Sequence, residues 1–282
     1  MNKFTRRTVI AAACAAAAMT FAPMSFAQQA PEKKDVTIAV GGKSLYYYLP
    51  LSIAEQLGYF KDEGLNVKIV DFQGGSRSLQ AVVGGSADVV SGAFEHTISM
   101  QAKKQPMTAF VLQGRAPQLA LVVSNKTMKD YKQLSDLKGK KVGVTAPGSS
   151  SQMVANFILK KGGLGPKDVA FIGVGSSSGA VSAIRSGQID ALINLDPVIT
   201  ILLKNGDAKL VADTRKVKES ESFFGGTMPA GCLYAPVSFV EKNPKTVQAL
   251  TNAIVRADDW LAKATPEEVA KNRGKSVEEI TN

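Results

Sequence analysis

The 282-residue sequence predicts a fold of two similar α/β lobes, each presenting Gly/Ser turns at one end of its sheet. Two internal matches and a shared rhythm carry that prediction. Residues 35–44, DVTIAVGGKS, lie without a gap on residues 141–150, KVGVTAPGSS, placing Val36 on Val142 and Gly42 on Gly148. Residues 67–90 lie in the same way on residues 169–192, with Ser76 on Ser178, Gly85 on Gly187 and Asp88 on Asp190. Each copy reads strand, Gly/Ser turn, helix, turn, strand, which is the pattern of a βαβ unit. The turns therefore fall at the carboxyl ends of strands, where open α/β sheets bind their ligands.

In chain order, residues 28–34 form a short polar arm, and Val36–Val40 alternates as a strand. The Gly41-Gly42-Lys43-Ser44 turn and Tyr46–Pro50 lead to a helix expected over Leu51–Leu57. Strands are expected at Val67–Asp71, Asp88–Ser91, Met107–Gln113 and Leu119–Ser124, with a helix from Gly74-Gly75-Ser76 to Val83. Residues 114–117 are rich in breakers and serve as a crossing between lobes. Lys141–Thr145 is a β-branched strand, broken by Pro147 and Gly148. Ser149, Ser150 and Ser151 then open a helix whose Met153, Val154, Phe157 and Ile158 recur at helical spacing, and Gly162-Gly163 stops it. The second lobe repeats the scheme to about Ala212. Residues 225–231 cross back, Cys232–Pro236 returns as a strand, and Pro244–Ala262 is a helix expected to dock on the first lobe.

Hydrophobic residues make up 45% of the chain, enough for one large or two modest domains with cores of their own. Residues 1–27 read as an export leader: Lys3, Arg6 and Arg7, an Ala-rich apolar run from Val9 to Ala22, and the small-x-small site Ser25-Phe26-Ala27. The run is shorter than the roughly 20 residues of a membrane span, and Pro23 closes it. Thr5-Arg6-Arg7 suits either the Sec or the Tat export route. Cys14 lies inside the apolar run, which argues against a lipid anchor. The leader holds three basic and no acidic residues, so the net charge of +10 falls to +7 without it. Export argues against nucleic acid as the partner of that charge and favours anionic solutes or membrane surface. With Cys232 the one cysteine beyond the leader and His96 the one histidine, neither an internal disulfide nor a Cys/His zinc site can be assembled.

Helix starts carry amides without internal partners, so Ser149–Ser151 form a candidate anion site, although one serine acting only as a cap explains the same pattern. Three enzyme-like patterns are weaker. Gly175-Ser176-Ser177-Ser178-Gly179 fits G-x-S-x-G, but a hydrolase of that type needs its histidine after the serine, and His96 precedes it. Gly42-Lys43-Ser44 resembles the end of a phosphate loop whose first glycine would fall on Thr37. Gly173-Val174-Gly175 lacks the third glycine of a dinucleotide fingerprint. His96 beside Glu95 remains a candidate acid or base, with a core histidine as the plainer reading.

Five stretches carry a family resemblance: PLSIAEQLGYFKDEGLNVKIVDFQGG (Pro50–Gly75), VVGGSADVVSG (Val82–Gly92), DLKGKKVGV (Asp136–Val144), IRSGQIDALINLDP (Ile184–Pro197) and FVEKNPKTVQAL (Phe239–Leu250). Together they resemble the periplasmic solute-binding proteins of ABC importers, in the nitrate, sulfonate and taurine branch with relatives that bind thiamine-pyrimidine precursors. The resemblance implies the type II periplasmic-binding fold: two α/β lobes, each a mixed sheet flanked by helices, joined by two crossings and closing like a hinge. Lobe 1 is then 28–116 and 232–282, and lobe 2 is 117–231. It further implies solute contacts at Ser44 and Tyr46, Gly75 and Ser76, Ala93 and Phe94, Ser149, Ser150 and Ser151, and Asn194 and Asp196. The implied function is non-enzymatic capture of a small organic anion (sulfonate, taurine or carboxylate-like) by a monomer without cofactor, which delivers it to a membrane permease and its ATPase. The alternative is a protein that binds or converts a thiamine-pyrimidine precursor. The family usually carries further C-terminal helices on the first lobe, so a shortened chain is expected. Glu95 beside the site would repel a simple inorganic anion and leaves room for a solute with an amine or amide donor. The cysteine-rich motif of the pyrimidine synthases is absent.

Overall fold

The structure, a computed structural model, describes residues 30–228 and 230–273. The expected leader lies outside them. Strands β1 (Asp35–Val40), β2 (Asn66–Asp71), β3 (Val89–Ala93), β4 (Met107–Leu112) and β10 (Gly231–Pro236) form one sheet in the order β2-β1-β3-β10-β4. Strands β5 (Ala120–Ser124), β6 (Lys141–Val144), β7 (Ala170–Gly173), β8 (Ala191–Asn194) and β9 (Ala208–Asp213) form the other in the order β7-β6-β8-β5-β9. In each sheet three strands pair in parallel and the fourth runs antiparallel to both its neighbours. The internal repeat is thus physical: β1, β2 and β3 correspond to β6, β7 and β8. A register shift occurs in the β10–β4 pair at Leu233/Tyr234 and in the equivalent β5–β9 pair at Leu121/Val122.

The helices are α1 (Leu49–Gln56), α2 (Tyr59–Asp62), α3 (Gly75–Val83), α4 (Glu95–Ala102), α5 (Ser150–Lys161), α6 (Ser178–Ser186), α7 (Val198–Lys204), α8 (Val217–Phe224), α9 (Val237–Lys242), α10 (Pro244–Leu261) and α11 (Pro266–Asn272). Alternation along the strands divides the core. Val36, Ile38 and Val40 face one apolar cluster while Ala39 and Val90 face another with Cys232 and Tyr234. In the second sheet Leu121 and Val123 join the first of these clusters, and Ala120, Val122 and Leu192 face a third. One continuous core therefore spans both sheets.

Three departures from the sequence expectation have physical causes. Strand β3 runs on through Gly92 and Ala93, because β10 offers Cys232 and Gly231 as antiparallel partners there. Residues 95–102, to which the sequence assigns no element, form helix α4, whose apolar face is too weakly marked to show as a period. Tyr46–Tyr48 coils as a short 3₁₀ turn and α1 starts two residues early, with Pro50 in its first turn, where a missing amide costs nothing.

Helix α10 buries Thr246, Ala249, Leu250, Ala253, Ile254 and Ala257, spaced at three and four residues, against α1, α2 and β4. Its first amides are capped from afar: Glu32 accepts from Lys245 N at 3.0 Å and Thr246 N at 3.0 Å. These bonds, with the nearby Lys245 charge, outweigh what burial does to Glu32 and hold its carboxyl below the ordinary range. Because Ile254 is fully buried, Ile254→Ala should lower the stability of the folded chain by about 2–5 kcal/mol in urea unfolding. Cys232 is likewise fully buried and free, so a reductant should leave the melting temperature of the monomer unchanged.

Candidate functional site

The carboxyl ends of β1, β2 and β3 face those of β6, β7 and β8, and the turns that follow them meet. Gly74 ends the turn after β2 at φ +116°, a conformation that favours glycine, and a side chain there would press on Ala146 of the opposite sheet. A side chain at Gly42 would run into Ser176. Small residues at both positions let the two backbones approach.

Polar contacts follow from that approach. Ser76 N donates to Ser149 Oγ at 3.0 Å, Ser149 Oγ to Ser76 Oγ at 3.2 Å, and Ser76 Oγ to the Pro147 carbonyl at 2.9 Å. The start of α3 is thus joined to the start of α5, and Ser149 spends its hydroxyl on the opposite sheet instead of capping its own helix. Tyr46 N donates to the Asp196 carbonyl at 2.9 Å, a second link between the sheets.

The remaining residues expected at the site divide by environment. Ser151 is fully buried, accepts from Thr145 N and shares a hydrogen bond with the Thr145 hydroxyl, so it braces the turn from beneath. Ser150 opens α5 and is partly exposed. Asn194 is fully buried and donates to the Gly175 carbonyl while accepting from Leu195 N. The Asp196 carboxylate accepts from Thr200 at the start of α7 and pairs with Arg215 at 3.2 Å. Arg215 also grips Asp213 through two hydrogen bonds; they outweigh the effect of burial and hold that carboxyl below its ordinary range. Ala93 is buried at the end of β3 and Phe94 is half-buried after it. Gly75 lies against the His96 ring, and Tyr46 is largely exposed under the Arg273 guanidinium, which also donates to the Ser44 carbonyl.

Sequence reasoning did not place Gln113 at the site, and it set Glu95 beside the site with His96 as a candidate acid or base or a core histidine. All three are buried at the cleft-side ends of β3 and β4. Among the described residues Glu95 Oε2, His96 Nε2 and Gln113 Nε2 each lack a hydrogen-bond partner, whereas Gln113 Oε1 accepts from Ser91 and His96 Nδ1 shares a 2.9 Å bond with the Tyr234 hydroxyl. Burial pushes Glu95 up to about 7, with its own backbone amide opposing, and lowers His96 to about 4, opposed by the Gly148 backbone. Burial, and then the Glu95 charge, raise Tyr47 and push the Cys232 thiol up to about 12. Gln113 also lines a cavity of about 590 Å³ with Tyr46, Gln118, Asp196 and Arg215.

Two mixed sheets with opposed strand ends define the two-lobed fold of the periplasmic binding proteins. The model of the family described as NMT1/THI5 like matches residues 46–269, and the chain belongs to that family. A structure from Bordetella bronchiseptica RB50 shares 61% identity at a TM-score of 0.86, over 88% of this chain and 80% of that one. The periplasmic nitrate-binding protein NrtA of Synechocystis PCC 6803 shares the fold at a TM-score of 0.71 and 19% identity, over 86% of this chain and 66% of its own. The alkanesulfonate-binding protein SsuA of Xanthomonas axonopodis pv. citri, bound to MOPS, does so at 0.66 and 20%, over 86% and 84%. Among curated relatives, YtlA of Bacillus subtilis (strain 168), which carries a binding-protein name, is 25% identical over 95% of this chain and 78% of its own. The 4-amino-5-hydroxymethyl-2-methylpyrimidine phosphate synthase of Candida albicans (strain WO-1) is 25% identical over 80% of this chain and 67% of its own.

The two buried titrating groups act on stability in opposite directions. Glu95 has its folded pKa raised, so its contribution is complete below about 4.5 and lost as pH rises through about 7. His96 has its folded pKa lowered, so its contribution is complete above about 6.5 and lost as pH falls through about 4. Glu95→Gln should therefore match the parent near pH 4 and gain on it with rising pH, by an amount on the order of 3 kcal/mol at pH 8, read from urea unfolding across pH.

Proposed function

We propose that the chain is the extracytoplasmic solute-binding component of an ABC importer, which captures a small organic solute between two lobes and delivers it to a membrane permease driven by a cytoplasmic ATPase. The observation that carries the reading is the meeting of Gly/Ser turns from two sheets, linked through Ser76–Ser149 and Tyr46–Asp196. Groups that converge from both lobes on one solute favour the closed form over the open one, which is how a hinge protein reports occupancy to a partner. In this reading lobe 1 comprises 28–116 and 232–282, lobe 2 comprises 117–231, and the protein works as a monomer in the periplasm after loss of residues 1–27. Family membership and the binding-protein names of its structural neighbours support it.

The solute contacts fall to Ser44, Tyr46, Gly75, Ser76, Phe94, Ser149, Ser150 and Asp196, with Ala93, Ser151 and Asn194 shaping the walls. A small organic anion at the paired helix starts is the form of solute that the family resemblance favours, and Glu95 is the feature that opposes it. A second reading, handling of a thiamine-pyrimidine precursor, has the synthase relatives in its favour. Against chemistry of that kind stands the thiol of Cys232, fully buried and held protonated. A thermal-shift screen of the processed protein against alkanesulfonates, carboxylates, amines and pyrimidines should give a saturable rise with one class. No rise with any class, from a folded sample free of carried-over ligand, would overturn the binding-protein reading. Ser149→Ala should weaken that rise without unfolding the chain, because Ser149 supports no hydrogen bond within its own helix cap.

A further inference from the structure

Building on the solute-binding reading, we propose that the solute carries a protonated or N–H-rich nitrogen centre, an ammonium, amidinium or guanidinium group, and that Glu95 holds this end. Glu95 stands on the first turn of α4 and is 8% exposed, with Oε2 buried and unpartnered. Among the described ion pairs none involves it. A buried acceptor without a donor costs about 1–3 kcal/mol, more if charged, so the group that completes it is a donor. The titratable groups that face it are Tyr47 from the turn before α1 and Cys232 and Tyr234 from β10, all held protonated by burial and by Glu95 itself. On its own helix His96 stays neutral, and Lys103 just beyond is exposed. None of these supplies a counter-charge inside the site.

Three cations bordering the cleft are already engaged. Lys43 pairs with Glu55, Arg215 with Asp213 and Asp196, and Arg273 is turned onto the Ser44 carbonyl and the Tyr46 ring. The site therefore offers a carboxylate without a cation, while Lys43, Arg215 and Arg273 are spent on other partners. The unpartnered His96 Nε2 and Gln113 Nε2 add further polar atoms for the remainder of a nitrogenous solute. Pairing with a cation requires Glu95 in its ionised form, so binding below about pH 7 releases a proton and affinity rises with pH.

The test compares benzamidinium and benzylammonium with their neutral isosteres benzamide and benzyl alcohol, and with benzenesulfonate, on the processed protein and on Glu95→Gln. Melting temperature is read at about pH 5.5 and about pH 8, on either side of the Glu95 titration. The expected result is stabilisation of the parent by the cationic probes alone, larger at the higher pH, and lost in Glu95→Gln. Stabilisation by benzenesulfonate and not by the cations would overturn the nitrogen-centre inference and leave the binding-protein reading standing. A cation shift that survives unchanged in Glu95→Gln would overturn the role given to Glu95. No shift with any probe, from folded and ligand-free protein, would overturn the inference, and the broader solute screen then decides the binding reading separately.

Discussion

Strand β10 is hydrogen-bonded along both edges, to β3 on one side and β4 on the other, and the architecture depends on that double pairing. It brings the chain back from the second sheet into the interior of the first instead of onto its rim. The β5 strand occupies the same place in the second sheet, between β8 and β9. Each sheet thus takes as its fourth strand a segment that has just arrived from the other. Two consequences reach the site. The sheets are tied covalently at two points close together, and their parallel strands are left to point their carboxyl ends at each other.

What lies at those ends is a contrast between satisfied and unsatisfied polar groups. The serines at the helix starts, the Asn194 amide and the Asp196 carboxylate are engaged with protein partners. Glu95, His96 and Gln113 are engaged only in part: among the described residues Glu95 Oε2, His96 Nε2 and Gln113 Nε2 have no hydrogen-bond partner, although they are buried. In a folded interior a group in the first condition specifies structure, and a group in the second is waiting for something to complete it. The opposed responses of Glu95 and His96 to burial also mean that the neutral forms of both are favoured together between about pH 4 and about pH 7.

Much of the architecture was legible in the sequence. Gly/Ser turns at equal offsets in two halves fix where strands end, and the spacing of Leu250, Ile254 and Ala257 marks the buried face of α10. The misses have two causes. Strand β3 extends over Gly92 and Ala93 because of β10, a partner some 140 positions away, and no local pattern encodes that. Helices α4, α7 and α8 are short, so they hold few turns in which a period can show. For the site, residue type identified Ser76 and Ser149 as polar turn residues but not that they would satisfy each other. The sequence could show a carboxylate at position 95; only the surrounding fold shows that no described residue answers its Oε2.

The clasp between Glu32 and the start of α10 joins residues 213 and 214 positions apart. Together with β10 it makes the first sheet a composite of the beginning and the end of the described chain, whereas the second sheet is drawn from one unbroken stretch. During synthesis the second sheet has all its strands before residue 231 has been made. The first has a gap between β3 and β4 until β10 fills it, and α1 and α2 stay uncovered until α10 follows. The lobe that is first in the sequence is therefore the last to be completed, and the loop it must close to finish is nearly the length of the folded protein.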